Sequence, residues 1–245
     1  MRDARKEFMS HVLALIEKQL AMTKVRQQFE IRSGRRTASD CGPCILISRE
    51  CGSGSSGLAR RLGERLGWNV FDSNIVDEIA GTAHVHKRLL EGFDEHIYSV
   101  WDQALRDILV DGLSQDEYVR HLGHTIMALG HQGNVVLVGR GSQFFLPEAA
   151  CLRVRLVAPV EFRAKAVAQR EGLSFDRARA KIKEIDARRE AFCRKLFHKD
   201  VFSPLNQDLM INAGSVGVES AADVVLTAAR GKLGVELPPG LAHAA

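Results

Sequence analysis

The 245-residue sequence lacks features that mark several large classes of protein. No apolar run approaches the ~20 residues that cross a bilayer, which excludes a helical membrane protein. The N-terminus is charged from Arg2 onward and has no apolar core, so we expect no secretory signal. The formal net charge is only +4, an excess too small to predict a nucleic-acid-binding protein. We therefore expect a soluble globular protein that binds neither a membrane nor nucleic acid.

Cysteine is also scarce. The five cysteines are an odd number spread over a long chain, a pattern typical of reduced thiols, so we expect a cytoplasmic protein without a disulfide framework. Cys41 and Cys44 have the spacing of a redox motif. That chemistry needs the first cysteine at a helix N-terminus, where the pKa of the thiol falls. Because the residues after Cys44 have the pattern of a strand, we interpret Cys41 to Cys44 as a turn and not as a redox site.

The two ends of the chain differ in composition from the middle. Residues 4–30 carry apolar residues at three- and four-residue spacing, which predicts a helix, and the basic polar run 32–40 predicts a linker. The helix could pack on the body of the protein, on a second copy of the chain or on another partner. Its mixed charges disfavour a membrane surface. The predicted organisation is a helix with its linker over 1–40, a main domain over 41–231 and a flexible tail over 232–245.

Short apolar segments alternate with helical patterns through the main domain. The strand candidates are residues 45–48, 69–71, 134–139, 152–157 and 208–212. Apolar strands separated by helices predict a parallel sheet that is covered on both faces. The predicted fold class is therefore α/β, a five-stranded parallel sheet with helices on both faces, preceded by the N-terminal helix.

A turn rich in glycine and serine joins the first strand candidate to a helical pattern. Glycine lets the backbone turn sharply and approach a ligand closely. The free N–H groups at the start of the following helix favour an anion, and serine hydroxyls add donors or a ligand for Mg²⁺. We therefore predict that phosphate groups are held by Gly52, Ser53, Gly54, Ser55, Ser56 and Gly57, with Ser55 and Ser56 as metal ligands.

This turn lacks the lysine of the common phosphate-binding loop, which ends in Gly-Lys-Ser/Thr. Leu58 and Ala59 stand at the lysine and hydroxyl positions, and in a second register Ser55 replaces the lysine. A hydrogen bond from a charged group is worth ~1.5–3 kcal/mol. Another cation must therefore substitute, and the candidates are Arg49 and Arg140.

Two further candidates follow strands. Arg140, in a Gly-Arg-Gly segment, lies at the carboxyl edge of the sheet, where open α/β sheets bind ligands. Asp72 follows the second strand and points into the same crevice. It would bind a sugar hydroxyl, a base or a metal, or it would cap the helix that starts near Ser73.

Two charged helical segments supply the remaining candidates. Arg163 begins one of them, and Arg189 and Arg194 lie on the next. A charge-rich helix is ordinarily a solvated face. Arginines beside a phosphate loop, however, neutralise charge in phosphoryl transfer, because the planar guanidinium grips phosphate oxygens with two donors.

Taken together, these motifs resemble the cytidylate kinase-like family of nucleoside monophosphate kinases over about residues 44–230. The motifs are Ser48 to Gly57, Gly139-Arg140-Gly141, Ala158 to Arg163, Asp186-x-x-Arg189 and Asp208 to Asn212. The resemblance implies a P-loop NTPase fold, ATP with Mg²⁺ as donor, and CMP or a similar monophosphate as acceptor.

The resemblance also implies roles for individual residues. The glycine-rich turn would hold the donor phosphates, and Arg189 and Arg194 would close over the transferring group. Arg140 would hold the acceptor, with Asp72 and Arg163 as further substrate contacts.

The sequence departs from well-studied cytidylate kinases at three points. It lacks the loop lysine, Val138 stands where their strand-end aspartate would be, and Gly141 replaces the aspartate of their Gly-Arg-Asp segment. The alternative function is therefore a catalytically inactive nucleotide-binding or regulatory module of the same fold, tethered through the N-terminal helix.

Overall fold

A computed structural model describes most of the chain, namely residues 2–33, 41–91, 93, 95–110 and 112–236. Most of the predicted linker and of the predicted tail, residues 34–40 and 237–245, lie outside the described residues. The strands are β1 (Cys44–Arg49), β2 (Asn69–Phe71), β3 (Val135–Val138), β4 (Cys151–Val157) and β5 (Leu209–Asn212). The helices are α1 (Arg2–Ser33), α2 (Ser55–Leu66), α3 (Ser73–Gly81), α4 (Ala83–Leu90), α5 (Glu95–Ile108), α6 (Glu117–Gln132), α7 (Ser142–Phe145), α8 (Val160–Glu171), α9 (Phe175–Phe197) and α10 (Ala213–Leu233), the last kinked at Gly217.

The five strands form one parallel sheet in the order β2-β3-β1-β4-β5. The strands are short apolar runs because both faces of the sheet are covered. In β1, Leu46 packs on one face with helices α3 and α6, whereas Ile45 and Ile47 pack on the other with α2 and α10. The predicted α/β fold is confirmed. The carboxyl ends of β1 and β3 come together at one edge of the sheet, and the glycine-rich turn begins there.

Helix α1 packs on the body of the protein, against α3, α4 and α6. Val12 and Ile16 have no exposed surface, which accounts for the apolar spacing in the sequence. Gln19 joins the helix to the sheet, since its Nε2 donates to the Gly133 carbonyl at 2.8 Å and its Oε1 accepts from Asn69 Nδ2 at 2.7 Å. The sequence left open whether this helix packs on the body of the protein, on a second copy of the chain or on another partner. The structure shows it packed on the body of the same chain. None of the described helices is long and apolar enough to cross a membrane.

Replacing Ile16 with alanine should lower the free energy of unfolding by about 2–4 kcal/mol, because a fully buried side chain is lost and a cavity is left. Equilibrium urea denaturation measures the change. Lys18→Ala, on the exposed side of the same helix, is the control and should change stability by less than about 0.5 kcal/mol. Equal stability of the two variants would show that α1 is not part of the cooperatively folded unit.

Candidate functional site

The glycine-rich turn leaves β1 and ends where α2 begins at Ser55. Gly52 and Gly54 have φ of +82° and +91°, a conformation that favours glycine. A Cβ on Gly52 would lie 2.8 Å from the Arg163 carbonyl oxygen, so the close approach also requires glycine. Gly54 precedes the helix, and among the described residues no side chain caps its first turn. The first N–H groups of α2 are thus left for a ligand, the geometry of an anion site.

Side chains from α8 and α9 hold the start of this turn in place. Asp186 on α9 accepts from the Cys51 amide at 2.7 Å and from Arg163 Nη1 at 2.6 Å. Arg163 also donates to the carbonyl oxygens of Ala158 at 2.9 Å and Cys51 at 3.2 Å, and its Nε lies 3.3 Å from a Glu50 carboxylate oxygen. These bonds occupy Arg163, which is buried. It therefore positions the turn, and the geometry does not favour the substrate contact predicted from sequence.

A cleft of about 560 Å³ opens under α9 at the carboxyl ends of β1 and β3; Arg49, the last residue before the turn, lines it, and residues 50–57 do not. Its charged lining is dominated by arginine. Among the described residues, two carboxylates reach the cleft, and both are already engaged: Asp186 by the bonds just given, and Glu190 by Arg194. The cleft is therefore suited to an anionic ligand, with five arginines in its wall: Arg49, Arg140, Arg155, Arg188 and Arg189.

Arg49, one of the two cations predicted to replace the loop lysine, lies inside this cleft. Its Nη2 donates to Ser73 Oγ at 3.1 Å. Burial, together with the charges of Arg189 and Arg140, lowers the pKa of Arg49 to about 10, so the group stays protonated at neutral pH. A Cβ on Gly139 would lie 1.6 Å from Arg49 Nη1. The space that Arg49 occupies therefore exists because residue 139 has no side chain.

Arg140, the second predicted cation, is held in a fixed orientation at the mouth of the cleft. Its backbone has a positive φ of 56°, which is uncommon for a residue with a side chain. Its Nε donates to Asp77 Oδ1 at 2.6 Å and its Nη2 pairs with Asp77 Oδ2. Its guanidinium also lies 5.7 Å from the centre of the Phe192 ring. This two-donor pair leaves the remaining Nη1 group available for a ligand.

Arg189 and Arg194 lie on the same helix but face different surroundings. Arg189 reaches into the cleft, where its Nη1 donates to the Arg49 carbonyl at 3.3 Å and burial lowers its pKa. Five residues turn an α-helix by roughly 140° beyond one full turn. Arg194 accordingly points away, with a side chain 68% exposed and an ion pair to Glu190 at 2.5 Å. The structure brings Arg189 to the cleft with Arg49 and Arg140, and it leaves Arg194 outside.

Asp72 caps helix α3, the alternative that its position in the sequence left open. Its Oδ1 accepts from the amides of Asn74 at 2.9 Å and Ile75 at 3.0 Å. Asp72 and Ser56 also line a second cavity of about 540 Å³ between α1 and α2, which shares no lining residue with the cleft that holds Arg49, Arg140 and Arg189. Ser55 and Ser56 are the first two residues of α2, and no cluster of three or more histidine, cysteine or acidic side chains in the described part of the chain could hold a metal.

Arg155 is the functional candidate that the sequence analysis missed. It lies in β4, where Leu152, Val154 and Leu156 are buried, and only 4% of its surface is exposed. Its guanidinium lies 4.7 Å from the centre of the Phe202 ring, and burial lowers its pKa. A charged residue in the middle of a strand predicted to be covered on both faces is the signal that could have identified it.

Comparisons with known proteins identify the family of the chain. The family described as cytidylate kinase-like matches residues 44–215. The cytidylate kinase of Ignicoccus hospitalis is 27% identical over 184 residues, which cover 74% of this chain and 95% of that protein. The cytidylate kinase of Thermococcus sibiricus is 34% identical over 185 residues, which cover 75% of this chain and 86% of that protein.

A solved structure of an uncharacterized protein from Eubacterium ventriosum superposes with a TM-score of 0.62 at 21% identity, over 77% of this chain and 98% of that chain, and therefore has the same fold. The family match spans well over half of the sequence and contains the glycine-rich turn and all five cleft arginines, of which Arg49, Arg140 and Arg155 lie on or just after strands and Arg188 and Arg189 lie on α9. The chain belongs to the cytidylate kinase-like family.

Proposed function

We propose that this protein is a nucleotide kinase that transfers the γ-phosphoryl group of ATP to CMP or a similar nucleoside monophosphate. The observation that carries the proposal is the convergence of Arg49, Arg140 and Arg189 in one cleft, at the end of the strand that leads through the glycine-rich turn into the uncapped helix α2. Phosphoryl transfer needs little covalent chemistry from the protein. Alignment of the two substrates and balance of the negative charge supply most of the rate.

The glycine-rich turn and the cleft have distinct parts in this reaction. The amides at the start of α2 hold the donor phosphates, and Arg49 provides the positive charge that a loop lysine would otherwise bring. Arg189, on the helix that covers the cleft, binds the transferring group and helps to exclude water. Arg140, oriented by Asp77, holds the acceptor phosphate through the donors that Asp77 leaves available.

The serine side chains fit a magnesium ion that arrives with the nucleotide. Mg²⁺ usually keeps several waters and takes few ligands from the protein, with phosphate oxygens completing its shell. A hydroxyl of Ser55 or Ser56, at the first turn of α2, satisfies that requirement without an acidic cluster. When bound, the ion neutralises charge on the phosphates.

The test is an assay of the purified protein with ATP, Mg²⁺ and a panel of nucleoside monophosphates. We expect ADP and a nucleoside diphosphate to form in equal amounts with at least one acceptor. Arg140→Gln should raise the KM for the acceptor about 10- to 100-fold, because it removes a charged hydrogen bond to the acceptor phosphate, while the KM for ATP changes little.

Arg60→Gln provides the matched control, since Arg60 is an exposed residue of α2 paired with Glu64 at 3.6 Å. Its kinetic constants should equal those of the wild type. Binding of the nucleotides without phosphorylation of any acceptor would instead favour the alternative function, a catalytically inactive nucleotide-binding or regulatory module.

A further inference from the structure

Arg140 is held by a single carboxylate, and that carboxylate has one other partner. The Asp77 carboxylate accepts from Arg140 Nε at 2.6 Å and pairs with its Nη2. The hydroxyl of Tyr118 donates to the same Asp77 Oδ1 at 2.9 Å. Among the described residues, no further side chain donates to this carboxylate. Tyr118, Asp77 and Arg140 therefore form a chain of hydrogen bonds that ends at the mouth of the cleft.

The pair of Arg140 and Asp77 needs support because it is partly open to solvent. The exposed fractions of the two side chains are 31% and 30%. An ion pair that water reaches is worth little, since holding two mobile side chains in one geometry costs conformational entropy. A third hydrogen bond to the carboxylate lowers that cost, because it restricts the Asp77 side chain before Arg140 pairs with it.

The helix that carries Tyr118 is itself fixed. Tyr118 lies in the first turn of α6, which Asp116 caps. One turn later, His121 Nδ1 lies 3.2 Å from the carbonyl oxygen of Ala80 in α3, the helix that carries Asp77. A second contact thus holds the two helices together, and it does not depend on the Tyr118 hydroxyl.

The Tyr118 hydroxyl remains a donor and lies outside the cleft. Burial and the charge of Asp77 raise the pKa of Tyr118 to about 12, so the hydroxyl keeps its proton at neutral pH. Tyr118 is not among the residues that line the cleft. It is therefore placed to act on a ligand through Asp77 and Arg140, without touching that ligand.

We propose that Tyr118 is a positioning residue for the acceptor site. By holding Asp77, it fixes the Arg140 guanidinium so that the donors left free by Asp77 face the acceptor phosphate. Phe192 limits the guanidinium from another side, since the centre of its ring lies 5.7 Å away. This inference rests on the proposed function, which places the acceptor phosphate on Arg140.

Tyr118→Phe removes the hydroxyl and keeps the ring. It should raise the KM for the acceptor about three- to tenfold, as for loss of a partly exposed hydrogen bond to a charged group. The values of kcat and of the KM for ATP should change less than about twofold, because Arg140 binds the acceptor phosphate throughout the reaction. Initial rates at varied acceptor and at varied ATP give the three constants. An unchanged KM for the acceptor would overturn the proposal.

Tyr98→Phe is the matched control, since it makes the same change at the only other tyrosine of the chain. The Tyr98 hydroxyl donates to the Leu90 carbonyl at 3.2 Å, and Tyr98 does not line the cleft. Its kinetic constants should equal those of the wild type. Equal changes in the two variants would show a general effect of removing a phenol hydroxyl and would overturn the proposal.

Asp77→Asn separates positioning from a merely structural role. It should raise the KM for the acceptor at least as much as Tyr118→Phe, because it weakens the contact with Arg140 directly. Since both changes act through the same chain of hydrogen bonds, the double variant should be little worse than Asp77→Asn alone. Additive losses would show that Tyr118 acts independently of Asp77, against the proposal.

Failure of the proposed function gives a different result. The Nε–H group of Arg140 has its own NMR resonance, which is identified by its absence from Arg140→Gln. Its hydrogen exchange with water should be at least about fivefold faster in Tyr118→Phe than in the wild type, and unchanged in Tyr98→Phe. That result, in a protein that phosphorylates no acceptor, would sustain the role of Tyr118 in fixing Arg140 and refute the kinase. Equal exchange in all three proteins would overturn the inference.

Discussion

Replacing Arg189 with alanine should lower kcat at least about a hundredfold while the KM for ATP changes less than about threefold, because an arginine on the transferring phosphate acts mainly in the transition state. The prediction depends on the position of Arg189 over the cleft, where it donates to the Arg49 carbonyl at 3.3 Å. Initial rates at varied ATP and saturating acceptor give both constants. Arg189→Lys should recover only part of the rate, since lysine keeps the charge and loses the planar fork.

Arg194→Ala is the comparison that isolates position from charge. Both variants remove one guanidinium from the same helix, but Arg194 is exposed and paired with Glu190. We expect its kcat within about twofold of the wild type, as for most exposed ion pairs. Comparable losses in the two variants would restore the role that the sequence analysis predicted for Arg194, and an unchanged rate for Arg189→Ala would remove Arg189 from the mechanism.

The strands of the sheet could be predicted from sequence because a buried parallel strand has to be apolar over a few consecutive residues. The central strands β1 and β3 are covered on both faces, so their residues form short apolar runs between turns, whereas the edge strand β5 leaves Met210 exposed. The strand found over Val135–Val138 lies inside the predicted 134–139, and β1 begins at Cys44, one residue before the prediction. Strand order could not be predicted in this way, since pairing β1 with both β3 and β4 depends on contacts between distant residues.

The candidate site could be predicted where its residues directly follow strands. The carboxyl ends of parallel strands share one edge, so the two cations predicted to replace the loop lysine, Arg49 and Arg140, line the same cleft. Side-chain direction was the information that sequence lacked. Asp77 orients Arg140 although the two residues are 63 positions apart in the sequence. Which side of α9 faces the cleft depends on how that helix packs, and this packing places Arg189 in the cleft and Arg194 outside it.

Gly139→Ala should abolish most of the activity while the protein remains folded. The new Cβ would occupy the position of Arg49 Nη1, at a separation of 1.6 Å. Because that atom is the end of a flexible side chain, Arg49 moves aside and the backbone stays in place. The positive φ of +86° adds a strain of about 1–2 kcal/mol. We expect kcat/KM for ATP to fall about a hundredfold, as for loss of a charged contact to phosphate, with a modest decrease in Tm.

Gly172→Ala separates the displacement of Arg49 from backbone strain. Gly172 has a similar positive φ of +65°, and a Cβ there would meet no heavy atom within 4 Å. Its Tm should fall by a similar amount while kcat/KM stays at the wild-type value. Because Arg49→Gln removes the group that Gly139→Ala displaces, the double variant should be little worse than either single variant. Additive losses, or a Gly139→Ala protein as active as Gly172→Ala, would show that the phosphates do not depend on Arg49 in this position.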